Sequence, residues 1–274
     1  MKNKWIWAAM IVSIVMCACD KNNSSPEDSD FPFLKSYIYS YAELPAPSQV
    51  EIGTPLYKYE VKTGPDILPI PSSGTETWDY EDLFLTLGIK QDYSFVLYHE
   101  LWGSAPYTSE DYASAAKFAE LSKANGDLSY NRRGEGFGVC LYKRTESLHV
   151  ISDAAYDAAH PAGTVLDDIM TVQFYSAEDY LKSGYRSFNK YLGKTTKPYV
   201  DQAGLVIQGP QMIESLAEFN QIKRTLMHFN FILRPTKAPD QTGTHRFTIT
   251  YTNEDGVVLT GTTAPVTITK PIKQ

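Results

Sequence analysis

The sequence predicts a mainly β fold with an α+β centre, two short helices and a β-sandwich at the C-terminal end. Three observations lead there. Aromatic residues make up 13% of the 274 residues, with 19 Tyr and 12 Phe, and large rings suit half-buried pleated surfaces. Apolar and polar residues alternate with period two over many short runs. Clusters of Gly, Pro and Asn separate those runs at turn spacing.

The first element is not part of that fold. Lys2 and Lys4 precede an apolar run over residues 5–18, which is short for a bilayer span of roughly 20 residues and stops at Asp20, Lys21 and Asn22. A cleaved export signal over residues 1–18 is the expectation. Residues 19–30, with Ser24, Ser25, Pro26, Glu27, Asp28, Ser29 and Asp30, hold too little apolar material to build a core and read as an acidic flexible tether.

The body starts at residue 31 and divides in the sequence into a β-rich α+β part, 31–210, and a sandwich part, 211–274. Tyr37, Tyr39 and Tyr41 fall on one side of an extended segment and Leu34, Ser36, Ile38 and Ser40 on the other. Strands are expected at 56–61, 83–89 and 93–98. A helix begins at the N-cap Thr108, carries Glu110 and Asp111 in its first turn, and ends at Asn125-Gly126. Strands follow at 138–143, 147–152 and 170–175. A second helix is expected from Ser176, with Asp179 completing a capping box and Gly184 at the C-terminal cap. Residues 205–207 read as a short strand, and 212–223 fit a helix as well as anything else.

In the C-terminal part, Thr225, Met227, Phe229, Phe231 and Leu233 alternate cleanly. Phe247, Ile249 and Tyr251 lead to Asn253-Glu254-Asp255-Gly256, from which residues 257–260 run back as a hairpin. Val266 and Ile268 give the last strand, and Thr-rich exposed faces at this spacing read as half of a sandwich.

Composition excludes some partners. Thirty-two acids against 25 Lys and Arg give a net charge of −7, which leaves no excess of cations to neutralise phosphates, so nucleic acid is not an expected ligand. The segment Met16-Cys17-Ala18-Cys19 resembles the lipobox of bacterial lipoproteins. That resemblance implies acylation of Cys19, because Ala18 is the small residue required before the cleavage point and Met16, before Cys17, is not. Several acyl chains at about 0.8 kcal/mol per buried methylene make a stable anchor. The acidic tether is similar to those of Bacteroidetes surface lipoproteins. The strands around 245–249, Asp255-Gly256 and 264–268 are similar to the terminal strands of immunoglobulin-like modules in such proteins. The resemblance therefore implies an outer-membrane, surface-facing lipoprotein ending in an immunoglobulin-like sandwich, and carries no activity with it.

Signals for chemistry are sparse. The five histidines never reach the spacing of a zinc helix and no CxxC occurs, so no metal ligand, cofactor or catalytic residue is assigned. His149 and His228 lie in strand patterns and read as hydrogen-bonded structural histidines. Gly193-Lys194-Thr195 imitates a P-loop ending, but Phe188 stands where its first glycine belongs. Gly134-Glu135-Gly136-Phe137-Gly138 precedes a strand and reads as turn or strand-entry glycine. Asp79, Glu81, Asp82, Asp167 and Asp168 are the carboxylates from which a glycosidase pair would have to come. Cys140 sits in an apolar run and reads as a small buried hydrophobe. Trp78 and Trp102 are the tryptophans left after residues 1–18. They read first as core, with a sugar platform as the alternative, and His99 lies near Trp102 in the chain. Trp78, Trp102 and His99 are thus the candidate ligand-binding residues.

The expected function is a lipid-anchored, non-enzymatic binding or adhesion module of the cell envelope, with a glycan or protein ligand. A surface glycan hydrolase and a structural subunit of an envelope or pilus assembly are the alternatives.

Overall fold

The structure, a computed structural model, describes residues 33–44, 52–53, 56–61, 65–69, 77–89, 95–101, 106–133, 136–186 and 211–270. It is mainly β, with three α-helices among the described residues. In chain order come β1 (Phe33–Leu34), β2 (Ile38–Glu43), β3 (Ile52–Gly53), β4 (Leu56–Val61), β5 (Pro65–Pro69), β6 (Thr77–Trp78), β7 (Leu83–Ile89) and β8 (Val96–His99). Helix α1 (Ser109–Ala124) leads to β9 (Arg132–Arg133), β10 (Phe137–Leu141), β11 (Thr145–Ser152) and β12 (Met170–Tyr175). Helix α2 (Glu178–Lys182), β13 (Gln211–Ser215) and α3 (Leu216–Ile222) precede β14 (Asn230–Pro235), β15 (Gly243–His245), β16 (Phe247–Asn253), β17 (Val258–Thr262) and β18 (Val266–Ile268).

The main core lies between two antiparallel sheets. One runs in the order β13-β12-β14-β7-β4-β5, with β3 also on β7; the other is β11-β16-β17. Period-two alternation puts Val172, Phe174, Leu83, Leu85, Leu87, Phe231 and Leu233 on the inner face of the first sheet. Leu148, Val150, Phe247, Ile249, Tyr251 and Leu259 face them from the second. Phe229 meets Tyr251 edge to face at 5.0 Å between ring centroids, and α3 closes one side by setting Phe219 4.9 Å from Phe174. Such aromatic pairs add about 1 kcal/mol each beyond their burial.

The strands after residue 211 do not pair only among themselves. Strand β16 pairs with β11, β14 with both β12 and β7, and β18 lies parallel to β6. Each of these ladders crosses the division between 31–210 and 211–274, so the sandwich draws its strands from both parts.

A second core is built on the sheet β10-β2-β8, in which β10 and β2 are parallel. Helices α1 and α2 cover it, and Tyr37, Ile38, Tyr41, Phe118, Phe137, Cys140, Tyr180 and Tyr185 fill the space. The expected alternation around β2 fails here: Ser36, Tyr37 and Ile38 are consecutively buried. The reason is the carboxylate of Asp127, which accepts the backbone N–H groups of Tyr37 and Ile38 and holds the chain out of regular extended geometry. From Tyr41 onward β2 serves both cores, Tyr41 on the helix side and Ala42 on the sandwich side. Gly136 is needed where β10 enters this sheet, because a Cβ there would stand 2.7 Å from the Tyr37 carbonyl oxygen.

Helix α1 has the expected cap: the Thr108 hydroxyl accepts the Asp111 N–H at 3.2 Å, and the Asp111 carboxylate accepts the Thr108 N–H at 2.8 Å. Helix α2 differs from expectation. Its N-cap is Ala177 with no side-chain cap, Ser176 Oγ accepts the Glu178 N–H at 3.2 Å, and Asp179 turns to Arg224 instead of back to Ser176. Gly184 does take the left-handed conformation at φ 65°. Residues 212–223 are a strand end followed by a helix, since Ser215 caps α3 through the Glu218 N–H. At the β16–β17 turn Gly256 has φ 76°, and Asn253 Oδ1 accepts the Asp255 and Val257 N–H groups at 3.1 and 2.9 Å. Residues 205–207 lie outside the described residues.

Candidate functional site

Of the residues named from sequence, Trp78 is corrected. It is 5% exposed and packs in the sandwich core, because the parallel pairing of β6 with β18 draws it under the sheet. A ring so placed is no sugar platform. Trp102 and Cys19 lie outside the described residues. His99 is half-buried at the end of β8; its Nδ1 donates to the Glu100 carbonyl at 2.9 Å, and its backbone N–H donates to Ser114 Oγ at 3.3 Å. These contacts tie β8 to α1 and fix the ring. Cys140 is fully buried, and burial pushes its thiol well above the usual range, which suppresses the nucleophilic thiolate.

The structure gathers a different constellation. A 3-10 turn, Asp167–Ile169, places two consecutive carboxylates under different histidines. Asp167 Oδ2 accepts from His149 Nδ1 at 2.7 Å and from Asn220 Nδ2 at 3.0 Å. Asn220 reaches there from α3, having also bonded the Leu148 N–H at 2.8 Å, so α3, β11 and the turn are fixed together. Asp168 Oδ1 accepts from His160 Nε2 at 2.8 Å, and Asp157 Oδ1 accepts from His160 Nδ1 at 2.7 Å. Burial alone would lower the His160 pKa, but the two carboxylates outweigh it and the net shift is upward. Asp157 shifts the opposite way: burial opposes its charge, yet Lys237 and His160 hold it well below the usual carboxylate range. Asp167 and Asp168, two of the carboxylates from which hydrolysis would have to be built, are thus engaged by imidazoles. Asp79 caps a 3-10 turn through the Glu81 N–H at 3.1 Å.

His149 stands on the outer face of the β11-β16-β17 sheet with 41% of its side chain exposed. Its Nδ1–H is taken by Asp167, which leaves Nε2 to face outward. Across the ladders, His149 is level with Thr250 and Thr260, Ile151 with Thr248 and Thr262, and Ser147 with Thr252 and Val258. The hydroxyls on β16 and β17 bond each other, Thr248 to Thr262 at 3.1 Å and Thr250 to Thr260 at 3.3 Å. Each such hydroxyl keeps further donor and acceptor capacity toward a ligand. The result is a pleated face carrying five threonines, a serine and one carboxylate-oriented imidazole.

Of the threonines expected to be exposed, Thr260 and Thr262 are so, while Thr248, Thr250 and Thr252 are half-buried; His149 is hydrogen-bonded as expected. The sequence does not bring His149 and Asp167 together, because their 18-residue separation falls across a loop whose path no local pattern fixes. His228 differs from expectation: its Nδ1 is buried with no hydrogen-bond partner, and burial lowers its pKa to about 4. Among the described residues no group of His, Cys, Asp and Glu is arranged to hold a metal ion, and no helix is long and apolar enough to cross a membrane. Compared with protein-family models, curated proteins and solved structures, the chain matches none.

Proposed function

We propose that this chain is a lipid-anchored binding module of the cell envelope, held through Cys19 to the outer membrane, whose outer β11-β16-β17 face recognises glycans without turning them over. The observation that carries this reading is the row of Thr250, Thr260 and His149 across three strands, with Asp167 fixing the imidazole. Sugars present hydroxyls that both donate and accept, and threonine hydroxyls on a rigid sheet answer them at little cost in side-chain entropy. The acidic tether over residues 20–30 supports the reading by giving the body room to reach a ligand away from the membrane.

The test is a glycan array probed with the full chain, followed by Thr250→Val and Thr260→Val. Each isosteric change removes one hydroxyl, and each should weaken a bound glycan roughly fivefold, as expected for about 1 kcal/mol per hydrogen bond. Unchanged affinity in both variants rejects this face. Release of shortened glycan rejects the non-enzymatic reading. For the anchor, Cys19→Ala should abolish incorporation of labelled fatty acid, and undiminished incorporation rejects Cys19.

A further inference from the structure

The outer face of the β11-β16-β17 sheet extends beyond β11, because the chain returns beside that strand. Val165 bridges Ile151 in antiparallel sense, and the Leu166 N–H donates to the Val150 carbonyl at 2.8 Å. Leu166 points into the sandwich core, so period two turns Val165 and Asp167 outward on either side of it. Two rows result. One is Val165, Ile151, Thr248 and Thr262; the other is Asp167, His149, Thr250 and Thr260.

The rows differ in chemistry where they meet the returning chain. The second begins with a carboxylate and an imidazole. The first begins with two branched aliphatic side chains: Val165 is 47% exposed, and Ile151 is half-buried beside it. Residues two apart on a strand stand about 7 Å from each other, so Ile151 and His149 lie within the width of one hexose and its substituents. A neutral imidazole that gives its Nδ1 proton to Asp167 keeps only a lone pair on Nε2, and Nε2 therefore accepts from a ligand hydroxyl. The side chains of Ile151 and Val165 offer a hydroxyl nothing. Thr248 lies on the opposite side of Ile151 from Val165, and the Thr164 hydroxyl is given to the Pro161 carbonyl at 2.7 Å. Asp167 is already engaged by His149, Asn220 and the Val150 N–H. A hydroxymethyl group seated over the aliphatic pair loses water without gaining a partner, whereas a methyl group gains two apolar neighbours.

We infer that the outer face selects methyl-bearing sugars, a 6-deoxyhexose or an N-acetylhexosamine, with the methyl group on Ile151 and Val165 and a neighbouring hydroxyl donating to His149 Nε2. The inference rests on this face being the glycan surface and names what that surface prefers.

The experiment measures dissociation constants by NMR titration of the full chain in detergent micelles with matched free sugars. L-fucose is set against L-galactose, which differ in the methyl and hydroxymethyl groups at C6, and N-acetylglucosamine against glucose. The methyl-bearing sugar should bind about fourfold more tightly within at least one pair, and the pair that shows it identifies the source of the methyl group. Val165→Ser, at an exposed position, should remove that preference by weakening the methyl-bearing sugar alone, and Ile151→Thr, which keeps the branched Cβ, should reduce it. His149→Ala should weaken both members of the pair alike and leave their ratio. Equal constants within both pairs, a preference that survives in both Val165→Ser and Ile151→Thr, or no binding by either methyl-bearing sugar overturns the inference. Binding to other glycans on the array then leaves the recognition surface standing, and no binding to any glycan overturns that surface as well.

Discussion

Asp127 accepts the backbone N–H of Tyr37 at 2.7 Å, although the two residues stand 90 positions apart. The same carboxylate takes the Ile38 N–H at 2.9 Å and the Tyr185 hydroxyl at 2.9 Å. It therefore satisfies two donors that the break before β2 would leave buried and unpaired, and it joins β2 to the region after α2.

Asp127→Ala should cost about 3 kcal/mol or more, because it strands both N–H groups, while Asp127→Asn, which keeps one acceptor, should lose less. Urea unfolding midpoints decide this, and equal midpoints for wild type and the alanine variant reject the role. Burial pushes the Asp127 carboxyl above the usual carboxylate range against the pull of its three donors. A raised carboxyl pKa stabilises below its unfolded value and that contribution is lost as pH rises through the folded one. The advantage of wild type over Asp127→Asn should accordingly grow as pH falls.

His228 titrates near 4 in the folded chain against 6.5 for an ordinary histidine. Its lowered pKa gives a contribution that is complete above 6.5 and declines as pH falls from there toward 4, by at most about 1.4 kcal/mol per pH unit. His228→Leu should flatten the acid limb of the stability curve in this window. An unaltered slope in that variant would mean that the acid limb belongs to other groups.

Arg224 is buried between Glu214, to which it gives two hydrogen bonds, and Asp179 at 3.2 Å, with its guanidinium 5.6 Å from the centre of the Phe174 ring. Arg224→Met should destabilise by about 3 kcal/mol or more by leaving Glu214 buried without its cation, and adding Glu214→Gln should recover part of that loss. Calorimetry on the single and double variants tests it; strict additivity of the two losses would show that they do not act as a pair.

Thr108→Ala removes one half of the capping box on α1 and should cost about 1 kcal/mol. Amide hydrogen exchange localises the effect: faster exchange should appear in the first turn of α1 and leave β16 unchanged. Exchange that rises uniformly along the chain would mean the cap is not local.

Local chemistry was readable and long-range pairing was not. The run that forms β12 is bounded at its true ends by its apolar residues, the hairpin of β16 and β17 by Asp255-Gly256, and α1 by Thr108, since each signal acts within a few residues. Trp78 reads first as core and is so, but the sequence leaves a platform open as the alternative because its burial depends on pairing with the distant strand β18. Asp127 follows the helix-ending Asn125-Gly126 and carries no local signal, and only the fold shows it serving Tyr37 and Ile38. The acids Asp167 and Asp168 were visible as a pair, but their partners His149 and His160 are chosen by the course of the loop between β11 and β12.

Strand β18 lies between β15 and β6, and Thr269 hydrogen-bonds the Trp78 carbonyl across 191 residues. Segments so distant must meet before their contacts can offset the loss of chain entropy, which makes such topologies slow to form. For a polypeptide delivered amino end first, β6 waits for its mate until the segment carrying β18 has emerged, so this stitch forms late, and truncation just before Val266 would leave β6 and β15 facing a gap.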